Sequence, residues 1–148
     1  MDVVTGVPGV GKSTVLGEIA RNSPRPIVNL GTLMLDEAGA QGLCKTRDEL
    51  RVLSLETRAA LRRLALERVP MNAFLDIHLS VRTPEGLEEA IPPGLAALPI
   101  GQIFILEARP DEVLRRRRER SGRVDNVDDA SAIAEQQRFN RGLAEALA

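Results

Sequence analysis

Residues Gly6-Val7-Pro8-Gly9-Val10-Gly11-Lys12-Ser13, followed by Thr14, spell a complete G-x-x-x-x-G-K-[ST] pattern. Glycines let a backbone fold over an anion, so that successive N–H groups point at phosphate oxygens. A helix beginning at Lys12 adds the partial positive charge of its N-terminus. Lys12 can then reach β- and γ-phosphates, and the Ser13 hydroxyl can sit on Mg²⁺. Lysine usage sharpens the reading. Lys12 and Lys45 are the only lysines, and every other cationic side chain of the basic set is arginine. A compact ammonium stands where a planar guanidinium would not fit the cradle equivalently.

Chemistry on a nucleoside triphosphate also needs a carboxylate for Mg²⁺, usually at the end of a neighbouring strand. Two apolar runs end in one, Phe74-Leu75-Asp76 and Ile105-Leu106-Glu107. The shorter reach favours Asp76 as the metal ligand together with Ser13, and leaves Glu107 a structural carboxylate. His78, the only histidine, lies two residues after Asp76, so on extended backbone the two share a face. Both a place beside the metal–phosphate site and a satisfied strand-end histidine remain open for it. Phosphoryl transfer is stabilised by fixed cations. Candidates are Arg47, Arg51, Arg82, the stretch from Arg115 to Arg123, and Arg141. The run Arg115 to Arg118 goes all round a helix, so only part of it can face inward. Arg120 and Arg123 flank Ser121-Gly122, a turn suited to swinging over a bound triphosphate.

The elements that position these residues are strands and helices in alternation. Val3-Val4, Pro26 to Leu30, Ala73 to His78 and Gln102 to Glu107 are continuous apolar runs, as expected of strands covered on both faces. Helical spacing follows Lys12, and recurs from Leu55 to Val69 behind the N-cap candidate Ser54 and before Pro70. It recurs from Pro110, with Asp111 and Glu112 in the first turn, and from Val127 to Leu147 behind Asn126. The stretch between Pro84 and Pro99 reads as loop with one short helix. The pattern predicts a parallel α/β sheet.

The chain has 148 residues, enough for one domain. Net charge is −1 and aromatic content 2%, so neither a basic field nor stacking platforms recruit nucleic acid. Cys44 is the only cysteine, which excludes an internal disulfide and a cysteine zinc cluster. With no long apolar run and no signal or lipidation motif, a cytoplasmic protein without membrane contact is expected.

Beyond the loop, four segments resemble archaeal-type adenylate kinases. Val28-Asn29-Leu30-Gly31-Thr32-Leu33-Met34 is similar to the segment lining that family's nucleoside monophosphate site. Arg47-Asp48-Glu49-Leu50-Arg51 is similar to its Arg-Asp-x-x-Arg stretch, and Asp76-Ile77-His78 with Arg82-Thr83-Pro84 to its Asp-x-His…Thr-Pro segment. Gln137-Arg138-Phe139-Asn140-Arg141 resembles its Gln-x-x-Asn-Arg helix. The resemblance spans essentially the whole chain. It implies a three-layer α/β/α P-loop kinase with a parallel sheet in the order 2-3-1-4, acting on Mg²⁺ and ATP with AMP as acceptor. It also implies roles. Gly6 to Thr14 hold the donor phosphates; Thr32, Arg47 and Arg82 serve the acceptor; Arg116, Arg123 and Arg141 are lid and catalytic arginines. The acceptor region falls within residues 31–69 and a short lid within 115–126, and a homotrimer is implied. The family continues into a fifth strand and closing helix that this sequence does not carry, so the fourth strand is expected to be an apolar sheet edge. Another small-molecule kinase, an adenylate-kinase-like assembly ATPase and a phosphate-binding fragment remain alternatives. A regulatory GTPase does not: Asp36-Glu37-Ala38-Gly39 matches D-x-x-G but reads as helix, and no N-K-x-D motif exists.

Overall fold

A computed structural model describes residues 1–83, 85–121 and 129–148, except the side chains of 120 and 121. Its main sheet has four parallel strands: β1 (Asp2–Gly6), β2 (Ile27–Asn29), β3 (Phe74–Asp76) and β6 (Ile103–Leu106), in the order β2-β3-β1-β6. This is the order expected from the sequence, with β6 as the fourth strand. The apolar runs do what continuous runs predict: Val3 and Leu75 are fully buried, and Val4 nearly so. Asn29 pairs in register with Asp76, and Asp76 with Val4. Gly6, Asn29, Asp76 and Leu106 therefore end four parallel strands along one edge of the sheet, the edge where open α/β sheets bind ligands.

Helix α1 (Lys12–Asn22) returns the chain from β1 to β2. Helices α2 (Leu30–Ala40), α3 (Arg47–Val52) and α4 (Leu55–Glu67) follow β2, and α5 (Pro110–Ser121) and α6 (Ala130–Leu147) follow β6. Asn29, Thr46, Ser54 and Asp129 each cap a helix with a side-chain acceptor, and Thr46 with Glu49 forms a capping box. Asp36 to Gly39 lies in α2, as its helical reading predicted.

Two apolar clusters form the core. The larger packs Met34, Leu61, Leu66, Leu75, Leu79 and Leu95 together. The smaller holds Val7, Val10, Val113 and Ile133. Its first two members belong to the glycine loop itself, so the loop is anchored from below by α5 and α6. Each buried valine contributes about 1.5–3 kcal/mol.

One expectation is corrected. The stretch after Pro84 is not simply loop and short helix. Residues of β5 (Gly86–Glu89) pair antiparallel with β4 (Ser80–Thr83), and a 3₁₀ turn at Leu95–Ala97 follows. Gly-Leu-Glu-Glu has no apolar alternation, so its pairing depends on β4, which is pinned to α6 by a buried hydrogen bond from Ser80 to Asn140 at 2.6 Å. The last helix is capped by Asp129, whose side chain accepts from Ala132 N–H at 2.7 Å. The proposed cap Asn126 and the start at Val127 lie outside the described residues. At the other side of the sheet, β6 pairs only with β1 among the described strands, and Phe104 is 43% exposed. A groove of about 390 Å³ runs along this edge, lined by Ile103, Ile105, Arg141, Ala144 and Leu147 among others. No helix among the described residues is long and apolar enough to cross a membrane.

Candidate active site

The site grows from the turn between β1 and α1. Gly9 and Gly11 have φ of 85° and 107°, the left-handed region that favours glycine. A Cβ on Gly9 would lie 2.9 Å from Arg117 Cγ, and one on Gly6 would lie 2.7 Å from the Leu106 carbonyl oxygen. These positions therefore need glycine both for conformation and for the close approach of α5 and β6. Helix α1 differs from its neighbours in one respect: Gly11 supplies no side-chain cap. The first-turn amides are left without a side-chain acceptor, as an anion site requires. Ser13 and Thr14, on that turn, are exposed.

Lys12 is buried and turns toward the sheet edge. Its ammonium is ion-paired with Asp76 Oδ1 and donates to the Ile77 carbonyl at 3.2 Å. Asp76 Oδ2 accepts from Asn29 Nδ2 at 2.7 Å. The other end of the same amide, Asn29 Oδ1, accepts from Thr32 N at 2.9 Å and Thr32 Oγ1 at 3.1 Å. Arg47 completes the chain by donating to Thr32 Oγ1 at 2.9 Å. Lys12, Asp76, Thr32 and Arg47, expected from the sequence to serve one site, thus form one connected array. Asn29 joins them.

His78 stands on the same edge, its Nδ1 3.3 Å from the Gly6 carbonyl. Desolvation by the surrounding protein, then the charge of Lys12, push its pKa down, against the opposite pull of Asp76 and the Gly6 carbonyl. The residue is nonetheless exposed to solvent, which weakens the desolvation, so the downward direction of the shift is what stands. The imidazole is neutral at neutral pH beside the ammonium.

The arginines divide. In the run on α5, Arg115 and Arg118 are exposed, whereas Arg116 and Arg117 face the glycine loop. Arg116 donates to the Val10 carbonyl at 2.8 Å and pairs with Glu112. Arg117 Nε donates to the Pro8 carbonyl at 2.8 Å. Arg82, on β4, is held by α6 through the Ala132 carbonyl at 2.8 Å and Glu135 at 3.1 Å. Arg141 pairs with Glu107 at 3.3 Å and lines the groove at the β6 edge. Neither is hydrogen-bonded to the Lys12–Asp76–Asn29 array in this structure. Arg51 turns to Asp48 in solvent. Arg123 lies outside the described residues.

Asn29 was given no role of its own within its segment, and Arg117 stood only as one of the candidate stretch Arg115 to Arg123. Asn29 carried a signal, being a polar residue that ends an apolar run, as Asp76 does. Arg117 carried none beyond the charge run, because four consecutive arginines give no helical phase.

The donor set suits Mg²⁺. A carboxylate steadied by Asn29 and an exposed hydroxyl on the first turn of α1 are hard oxygen ligands, of the type that binds this ion with substrate phosphates supplying the remainder.

Comparison with known proteins finds relatives along nearly the whole chain. The family model described as AAA domain matches residues 5–134. An adenylate kinase from Thermoplasma volcanium is 41% identical over 97% of this chain and 81% of its own length. One from Methanoculleus marisnigri is 35% identical over 99% of this chain and 82% of its own length. The solved structure of a gluconokinase from Sinorhizobium meliloti 1021 overlays with a TM-score of 0.43 at 18% identity, over 93% of this chain and 73% of that one, a likeness too loose to bear on the argument. The glycine loop, the paired strand ends and this near-complete similarity agree: the chain is a P-loop phosphotransferase that belongs to the adenylate kinase family.

Proposed function

We propose that this chain transfers the terminal phosphoryl group of Mg·ATP to AMP, reversibly, giving two ADP. The observation that carries the reading is the juxtaposition of two cationic, phosphate-ready groups on either side of the end of β3, which lies between β1 and β2. Lys12 and the uncapped start of α1 stand on one side, and Thr32 with Arg47 stand on the other. Residues Gly6 to Thr14 cradle the donor phosphates with main-chain amides, and Lys12 leaves Asp76 for the phosphates. Ser13 and Asp76 would hold Mg²⁺, which would supply positive charge to the donor phosphates. Thr32, Arg47 and Arg82 serve the acceptor, Arg82 exchanging Glu135 for the AMP phosphate. The acceptor region is residues 31–69.

Arg116 and Arg117 lie over the loop, and the lid is assigned to residues 115–126, with Arg116, Arg123 and Arg141 closing on the transferring group. No general base is required of the protein. Such transfer depends on in-line positioning and fixed positive charge. His78, neutral beside Lys12, adds no competing charge. The similarity extends the proposal to a cytoplasmic homotrimer, which light scattering in solution tests for assembly.

The test is a coupled assay of ADP formed from ATP with AMP, beside a panel of other nucleoside monophosphates and small alcohols. ADP formation with AMP as the preferred acceptor is expected. Another preferred acceptor, or nucleotide hydrolysis without transfer, would overturn the reading. Arg82→Ala should raise the KM for AMP well above any change in the KM for ATP; equal changes would remove Arg82 from the acceptor side.

A further inference from the structure

The site contains a bridge to which no catalytic or ligand-binding role has yet been given. Asn29 ends β2 and begins α2, and its one amide faces both halves of the site. Nδ2 donates to Asp76, whose other oxygen holds Lys12. Oδ1 accepts from Thr32, whose hydroxyl in turn accepts from Arg47, and Arg47 also reaches Oδ1 at 3.4 Å. Only this orientation of the amide satisfies its neighbours. Reversed, its carbonyl would meet a carboxylate and its NH₂ would meet three donors.

We infer that Asn29 is a positioning residue that couples occupancy of the donor phosphate site to the affinity of the acceptor site. The inference rests on the kinase reading above. A donor phosphate competes with Asp76 for Lys12. Once the ammonium moves, a carboxylate that no metal ion has yet engaged draws more strongly on its remaining donors, including the Asn29 N–H. An amide polarised through its nitrogen is a better acceptor at its oxygen, because hydrogen bonds in series strengthen one another. Thr32 and Arg47 are then held more firmly in the geometry that receives the second phosphate. By linkage, acceptor binding must tighten donor binding by the same factor.

The competing explanation is that Asn29 only caps α2. Asn29→Ser separates the two. Serine caps a helix about as well as asparagine, so the bond from Thr32 N–H survives, but its hydroxyl is too short to span to Asp76. Asn29→Asp is the second variant. It keeps the cap acceptor and the size, loses the donor, and sets one carboxylate against another.

The experiment titrates AMP calorimetrically into the protein alone and into protein saturated with a non-hydrolysable ATP analogue, both in EDTA so that no metal occupies Asp76. In the parent, the analogue should tighten AMP by roughly five-fold or more, the lower end of ordinary coupling between sites. In Asn29→Ser the factor should fall below about two-fold, while the thermal midpoint stays near that of the parent. Asn29→Asp should lose the coupling as well. A merely structural role would lower the midpoint and weaken both ligands without changing their ratio. Coupling that persists in both variants, or a parent that binds both nucleotides independently, overturns the inference and leaves the kinase reading standing. A parent that binds neither nucleotide overturns both.

Discussion

The two ends of the central sheet use the same kind of ion pair to opposite purposes. At the amino end, Arg25 pairs with Asp2 at 2.6 Å, donates through Nε to the Asn72 carbonyl at 2.7 Å and through Nη2 to the Ala73 carbonyl at 3.2 Å, and lies 4.0 Å over the Phe74 ring. Its planar fork is committed to fixed protein groups, and it ties β1 to the start of β3. At the carboxyl end, Lys12 pairs with Asp76 from the tip of a glycine loop, next to helix amides that no side chain caps. A lysine is a compact charge on a flexible stem, and it can change partners where an engaged guanidinium cannot. The difference teaches that ion pairing alone does not mark function. What surrounds the pair does: saturated acceptors at one end, and unclaimed donors at the other.

Breaking the pair at each end should therefore affect turnover at one end only. Lys12→Ala is expected to have the largest effect, lowering ADP formation by about 10²–10³-fold or more, as loss of a fixed transition-state donor does. Its thermal midpoint should fall as well, because Asp76 is left largely buried without its cation; a variant turning over normally would contradict the site. Arg25→Ala should cost stability without costing turnover. Loss of hydrogen bonds to charged groups costs about 2 kcal/mol, a fall of roughly 4–8 °C in midpoint for a chain of this size. Its kcat below the transition should be unchanged, and a kcat loss without a shift in midpoint would blur the comparison.

Gly9→Ala sharpens the carboxyl end further. Its left-handed φ and the Arg117 methylene in the way should displace the loop, lowering ATP affinity by roughly ten-fold at about 1 kcal/mol of stability. Affinity equal to the parent's would show that the loop tolerates the shift.

The smallest effect is a pH slope. His78 titrates lower in the folded chain than its unfolded value of about 6.5. Between the two values the unfolded state binds more protons, so stability rises with pH and is lost as pH falls through this window. His78→Gln should flatten that slope in thermal melts below pH 6.5, while the slope due to Asp and Glu remains. An unchanged slope would show that the imidazole is not held neutral.

Much of this was readable before any coordinates. The glycine loop, the Ser54 cap and Asp76 at a strand end follow from local chemistry, the parallel sheet from the apolar runs, and the strand order from the family resemblance. The hairpin of β4 and β5 was not legible, because Gly86 to Glu89 lacks alternation and gains its strand only by pairing with Ser80 to Thr83. Nor was the choice within Arg115 to Arg118. Helical phase was invisible in a uniform charge run, and it is set by Val113 packing with Val7 and Val10. Arg82 and Arg141 were placed by resemblance, while their present partners, Glu135 and Glu107, belong to segments far away in sequence.

The class of ligand was written in eight adjacent residues, because a turn that presents backbone amides to an anion needs only its own glycines and the helix it starts. The bridge between the two halves of the site was not. Asn29 and Asp76 are 47 positions apart and meet only because β2 and β3 lie parallel in one particular register. Parallel strands are joined through crossovers, and uninterrupted apolar runs do not specify which residues stand opposite one another. That alignment was decided by how the helices pack on the sheet.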